Sequence, residues 1–363
     1  MTENKNSLSE LRIDISKDQL GAVLRAMSPF RAEDNIRLTF TPSNLIFEAE
    51  ETGNTGKIVI GNESVTEDME GINFFLSRNV LGQIYNNMPN LSTFTFKKNG
   101  EYWSEVAVTI GGDVINIGLP IFEKPIDTSY TEAQAETVLS EIFNNALNRV
   151  SASLIGGAAP TGCIEIGNTL KFGSAKSISY YSNLLKTLEV KVSPEFRRFL
   201  SNLFRIGGTT EIVTTTDNQV VFRCENVEYK TSQVKHTIPD VESLLDSSKP
   251  CEFVCGFENL KMSLSRLSIP LSGTEASVSL TVKGSQLTLE VFDIQGRKST
   301  SDINLVSVSG EGKTKLPIGD LQALIQVFEQ DATMSFRKTP DDDDIAMIEI
   351  KDSVQTAYVS TEV

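Results

Sequence analysis

The chain has 363 residues, enough for two or three domains with well-filled cores. Its 39% apolar and 22% charged residues describe an ordinary globular protein, and no apolar run is long enough to cross a membrane. A net charge of −15 excludes a protein that grips nucleic acid with its whole surface, while leaving room for a local basic face.

The start, MTENKNSLSELRIDI, lacks the basic-then-apolar order of a secretory signal, so a cytoplasmic protein is expected. Leu11 to Ile15 alternate as a first strand, and Ser16 caps a helix running to about Met27 with Leu20, Val23, Leu24 and Met27 as its apolar stripe. NIRLTFT, NLIFEAEE and GKIVIGN then alternate around turn residues and form a meander. Leu76 to Pro89 is a second helix, with Ser77 as cap and Val80, Leu81, Ile84, Tyr85 and Met88 as stripe, followed by the strand pair STFTFKKN and EVAVTI and a further strand from Asp113 to Leu119. A proline-rich polar stretch, Pro120 to Ala133, reads as a linker.

The order then restarts. AETVLS is a strand, Glu141 to Leu154 a helix, and CIEIGNTLKFG and ISYYS are strands. Val190 to Arg205 runs from a short strand into a helix with Ser193 as N-cap, Pro194 at the first helical position, and Phe196, Phe199, Leu200, Leu203 and Phe204 on one face. Arg197, Arg198 and Arg205 project from the other side, and TEIVTT and QVVFRC follow as paired strands. After a break at Ser243 to Pro250 come CEFVCGF, a helix from Phe257 to Leu267, a helix within Leu316 to Phe328, and the pair ATMSFRK and IAMIEI.

Ser77, Ser193 and Pro317 open equivalent helices 116 and 124 residues apart, and Leu24, Leu147 and Leu264 mark the other helix at intervals of 123 and 117. Two independent marks with one period make three copies of a module of about 120 residues. The expected fold class is therefore α+β: three repeated modules over 1–125, 126–247 and 248–363, each with two helices packed on β-sheets.

Five of the six helical segments carry a net charge of +1 or +2 in a strongly acidic chain. Any one of them alone is an ordinary solvated helix face, but their agreement suggests a shared surface turned toward a polyanion. Nothing in the sequence points to catalysis: there is no GxxxxGK[ST], no GxGxxG after a strand and no GxSxG, and the one histidine, His236, cannot supply a histidine metal cluster. Cys251 and Cys255 share a face of a strand-like stretch and read as buried small apolar groups, and the run Asp341 to Asp344 reads as a solvated hairpin tip. No enzyme, no metal and no cofactor are expected.

Three helix-containing β modules in about 360 acidic residues resemble the bacterial DNA sliding clamp, the beta subunit of DNA polymerase III. VEYKTSQVKHTIPDVESLL, with Ile238, Pro239, Asp240 and Val241, is similar to the family's strand leading into a Phe-Pro-Asp-Tyr element. The closing QTAYVSTEV carries its Ala-Tyr-Val at Ala357, Tyr358 and Val359, and the Arg266 region resembles its Ala-Arg-Ala-Ala helix. The substitutions suit a divergent, phage-encoded member.

The resemblance implies a ring of two chains joined head to tail, with helices lining a pore around duplex DNA held without regard to sequence. Lys17, Arg25, Arg149, Arg197, Arg198, Lys261 and Arg266 would face the phosphates. It further implies an apolar cleft for peptides of the DNA polymerase and clamp loader, lined by Leu154, Ile178, Pro239, Leu244, Val359 and Thr361. A trimeric ring of two-module chains is disfavoured by the count of three modules; the rival from another class is a repeated-domain phage structural or adaptor protein without DNA contact.

Overall fold

The computed structural model describes residues 9–99, 102–120, 126–155, 158–271, 276–293, 295–328, 332–340 and 344–362. Three of the four aspartates at 341–344 lie outside these residues, as does part of the first linker. The chain divides into two compact units, Met1–Glu141 with Glu195–Gln233, and Ile142–Pro194 with Val234–Val363.

The first unit holds two antiparallel sheets. The shorter has the order Glu10–Ser16, Leu91–Asn99, Tyr102–Ile110, Asp113–Gly118. The longer has eight strands in the order Asn73–Ser77, Asn35–Thr41, Asn44–Glu51, Asn54–Gly61, Val227–Ser232, Gln219–Cys224, Thr209–Thr215, Glu132–Leu139. Its seam, with Ile58 opposite Val227 and Gly56 opposite Tyr229, joins stretches about 170 residues apart in sequence. Glycine is required there, because a Cβ on Gly56 would meet the Phe30 ring at 2.6 Å and Tyr229 at 3.1 Å.

Three helices belong wholly to this unit: α1 (Lys17–Ala26), α2 (Arg78–Asn87) and α4 (Arg197–Phe204), while α3 (Ser140–Ser151) begins at the end of its last strand. The α1 start is a capping box, in which Ser16 Oγ accepts from Gln19 N and Gln19 Oε1 accepts from Ser16 N. Ser77 Oγ likewise accepts from Val80 N at the start of α2.

The start of α4 differs from the sequence expectation. Pro194–Phe196 form a 3₁₀ turn, the helix begins at Arg197, and the N-cap is Phe196 without a side-chain cap. Packing sets the chain path instead, since the fully buried Phe196 ring stacks on Phe199 at 5.1 Å and lies 5.5 Å from Phe222. The apolar stripe is as expected, all five side chains being buried.

The second unit repeats the plan with a nine-stranded sheet ordered Val190–Val192, Ile164–Ile166, Thr169–Gly173, Ser177–Ser182, Gln355–Ser360, Ile345–Lys351, Thr333–Lys338, Cys251–Val254, Ser307–Gly310. Its four-stranded sheet runs Lys298–Asn304, Gln286–Phe292, Ser277–Lys283, Gly312–Pro317. The helices are most of α3, α5 (Phe257–Ser268) and α6 (Ile318–Ile325), and α5 lies against α6 and the short sheet. Cys251 and Cys255 are fully buried in its core beside Phe253, Leu264 and Met334. Burial pushes their thiols up, to about 11 and about 12, so they stay protonated apolar groups. No helix among the described residues is long and apolar enough to cross a membrane.

Candidate functional site

In the first unit, α1 and α4 are clamped together by a small polar knot. Ser28 Oγ donates to Asn202 Oδ1 at 2.8 Å, and Asn202 Nδ2 donates to Arg25 O at 2.8 Å and to the Tyr229 hydroxyl at 2.7 Å. Tyr229 in turn donates to Ala26 O, and burial raises its pKa, so it remains a phenol. The Phe30 and Phe199 rings meet edge to face at 5.1 Å. This knot leaves exposed Arg25 and Arg205 flanking a cavity of about 620 Å3 that Tyr85 and Asn226 also line. Arg31, in the turn after α1, and Arg198, on α4, are exposed and both bind Glu51.

The seven cationic side chains expected at a DNA face therefore have different fates. Arg25, Arg198 and Arg266 are exposed. Lys17 is half-buried, its ammonium donating to Met88 O at 3.2 Å and lying 5.3 Å from the Tyr85 ring centre, and half-buried Lys261 pairs with Glu258 at 3.5 Å. Arg197 is half-buried rather than freely exposed: its Nε is buried without a hydrogen-bond partner among the described residues, and burial lowers its pKa.

Arg149 is the clearest correction. It is buried, pairs with Asp352, donates from Nε to Gln355 Oε1 at 2.8 Å and has its guanidinium 5.9 Å from the Tyr181 ring. Its charge is spent inside the second unit rather than shown to a ligand. Arg31 and Arg205 are exposed cations outside the expected set, and Glu51 pairs with Arg31 and Arg198. Arg31 lies past the end of its helix, so no stripe indicates where it points, and only tertiary pairing brings it to Glu51.

The expected cleft residues also separate. Val359 pairs with Ser177 while Tyr358 pairs with Ile178, and alternate strand residues face opposite ways. Val359 is accordingly a core residue, 1% exposed, and cannot share a wall with Ile178. Tyr358 takes that place, packing with Val241, Leu245, Ile178, Tyr180 and Met347. Pro239 is exposed and its carbonyl accepts from the Tyr180 hydroxyl at 3.1 Å; Leu244 is 58% exposed, and half-buried Thr361 donates its N–H to Ala346 O at 3.0 Å. Of the six, Leu154 lines a cavity of about 550 Å3 in the second unit, with Ile155, Pro317, Ile318, Gly319 and Ala323 as apolar wall and Lys176 and Glu362 as charged lining.

The connector bearing Pro239 and Leu244 is clasped to the sheet by ions. Arg337, 1% exposed, pairs with Glu349 and with Glu242 at 3.1 Å, and donates to Asp246 O at 3.1 Å; the Tyr358 hydroxyl donates to Glu242. Lys249 bridges Glu349 at 3.4 Å and Glu252 at 3.1 Å. The Arg337 hydrogen bonds hold the Glu242 carboxyl below its ordinary 4.5, and Lys249 does the same for Glu252.

A carboxyl lowered in the folded state contributes stability that is whole above its unfolded value and is lost as the pH falls through its folded value. Below pH 4.5 the connector is expected to loosen before the sheet does. Amide exchange, corrected for intrinsic rate, should show lost protection at Leu244 and Leu245 first. Equal and simultaneous loss in connector and sheet would contradict a local clasp.

No family model matches the sequence, and no curated protein matches it. Solved structures do match. DNA polymerase III subunit beta of Pseudomonas aeruginosa is 12% identical with a TM-score of 0.80, over 97% of this chain and 100% of that one. A putative DNA polymerase III beta subunit of Eubacterium rectale is 14% identical with a TM-score of 0.80, over 97% and 99%. The beta subunit from DNA polymerase of Streptococcus pyogenes is 14% identical with a TM-score of 0.78, over 97% and 100%. The two units, with their paired long and short sheets and the six α-helices of the described residues, thus have the fold of the DNA polymerase III beta subunits.

Proposed function

We propose that this protein is a DNA sliding clamp, a processivity factor without enzymatic activity that encircles duplex DNA and tethers the polymerase and clamp loader. The observation that carries this reading is the fold match over nearly the whole length of both chains, including a DNA polymerase sliding clamp of Pseudomonas aeruginosa. The exposed arginines beside α1 and α4 supply what a ring needs, weak phosphate contacts without base readout. In this reading the chain comprises three modules, 1–125, 126–247 and 248–363, and works in the cytoplasm.

Two chains then close one ring of six modules. Among the described residues each short sheet ends on an edge strand paired on one side only: Asp113–Gly118 with exposed Val114 and Ile115 in the first unit, and Lys298–Asn304 beside exposed Phe292 in the second. Two different sticky edges on one chain suit a head-to-tail contact with a second copy, which closes if the rotation allows. The cavity walled by Leu154, Ile318 and Ala323 is the seat for an apolar anchor of a partner peptide.

Sedimentation equilibrium should give a mass near twice 39.9 kDa. Protein loaded by its clamp loader should stay on circular duplex and leave once the DNA is linearised. A stable trimer would sink the two-chain ring; equal retention on circular and linear DNA would sink encirclement.

A further inference from the structure

Glu51 ends the strand Asn44–Glu51, and its side chain is 8% exposed, yet both of its partners reach solvent: Arg31 is 64% exposed and Arg198 43%. Each carboxylate oxygen takes a different guanidinium, Oε1 the Arg31 Nε at 2.9 Å and Oε2 an Arg198 terminal nitrogen at 2.5 Å. The arginines come from the turn after α1 and from α4. Arg31 is steadied by its own N–H on Asp34 Oδ2 at 2.7 Å, and Arg198 by the Phe199 ring at 5.1 Å.

We propose that Glu51 is a positioning residue that holds Arg31 and Arg198 side by side as one seat for a backbone phosphate of duplex DNA; this rests on the clamp reading. One guanidinium edge of each arginine is committed to Glu51, and the remaining N–H donors are left for an anion. Two long side chains with like charges would otherwise repel and sample many rotamers. Ordering them beforehand removes that cost from binding.

Charge and position make opposite forecasts for one substitution. Glu51→Gln adds one positive charge to the protein, so by charge alone DNA binding should tighten; if Glu51 positions the arginines, binding should weaken. The probe is a short fluorescein-labelled duplex titrated at several salt concentrations. The expected result for Glu51→Gln is a loss of roughly three- to tenfold at fixed salt with little change in salt slope, whereas Arg198→Ala should lower the slope by about one. Glu51→Asp, which keeps the charge and shortens the reach, should weaken binding like Glu51→Gln. Unchanged or tighter binding by Glu51→Gln overturns the proposal.

A readout without DNA separates this from the clamp reading. Nitrogen-detected spectra should show a slowly exchanging Nε–H for Arg31 and slowed terminal N–H exchange for Arg198, both of which speed up in Glu51→Gln. Fast exchange already in the wild type overturns the seat itself. Slow exchange with no duplex binding by the wild type overturns the DNA reading and, with it, the seat's ligand.

Discussion

Replacing Arg149 by alanine is expected to destabilise the second unit by about 3–5 kcal/mol, the usual consequence of leaving one member of a buried ion pair alone. The Arg149 and Asp352 side chains are 10% and 2% exposed. Asp352 Oδ1 already accepts from the N–H groups of Val354 and Gln355, at 3.0 and 2.8 Å, so the carboxylate cannot turn to solvent without opening the hairpin. Gln355 also returns a bond from Nε2 to Arg149 O at 3.3 Å, which ties the end of α3 to the last strand. Urea unfolding measures the loss. In the double variant Arg149→Met with Asp352→Asn, where no charge is stranded, much of it should be recovered. If Arg149→Ala unfolds like the wild type but holds DNA poorly, Arg149 belongs to the DNA face after all.

The case of Arg149 shows where sequence reading stops. Periodicity locates the six α-helices of the described residues, because an apolar stripe on an amphipathic helix is written in one local stretch. The same periodicity gives only the side of a helix that faces away from its own stripe. It does not say whether that side meets water or another element. Arg149 and Arg198 look alike in sequence, yet one meets Asp352, 203 residues away, and the other reaches solvent beside Glu51.

The expected cleft set is divided for a related reason. Strand alternation makes neighbours opposite, so an alignment uncertain by one residue exchanges Val359 for Tyr358 and core for surface. Leu154, in the turn after α3 where no alternation applies, lies on a cavity wall. The helical path begins at Pro194 after Ser193 as the Ser-Pro pair indicates, but its first turn is 3₁₀ and the α-helix starts at Arg197, after the buried Phe196 ring.

Gly319→Trp is expected to weaken binding of the cognate polymerase's docking peptide by about 10- to 100-fold without unfolding the protein. Gly319 lies in the first turn of α6 on the wall of the Leu154 cavity, and a Cβ built on it meets nothing within 4 Å. A side chain is therefore tolerated there, and replacing a helical glycine removes a penalty of roughly 0.5–1 kcal/mol. An indole has open space to extend into along the cavity wall, where it competes for the volume a peptide's Leu or Phe would fill. Burying one such anchor contributes about 1.5–3 kcal/mol, which corresponds to the stated loss. Calorimetry with the peptide, paired with a melting curve, decides the matter. Unchanged affinity in a normally folded variant moves the docking site away from this cavity. Exposed Leu244, on the connector that packs Val241 and Leu245 against Ile178 and Tyr358, is then the next apolar candidate, and Leu244→Asp, which costs little in core packing at 58% exposure, would test it by abolishing binding.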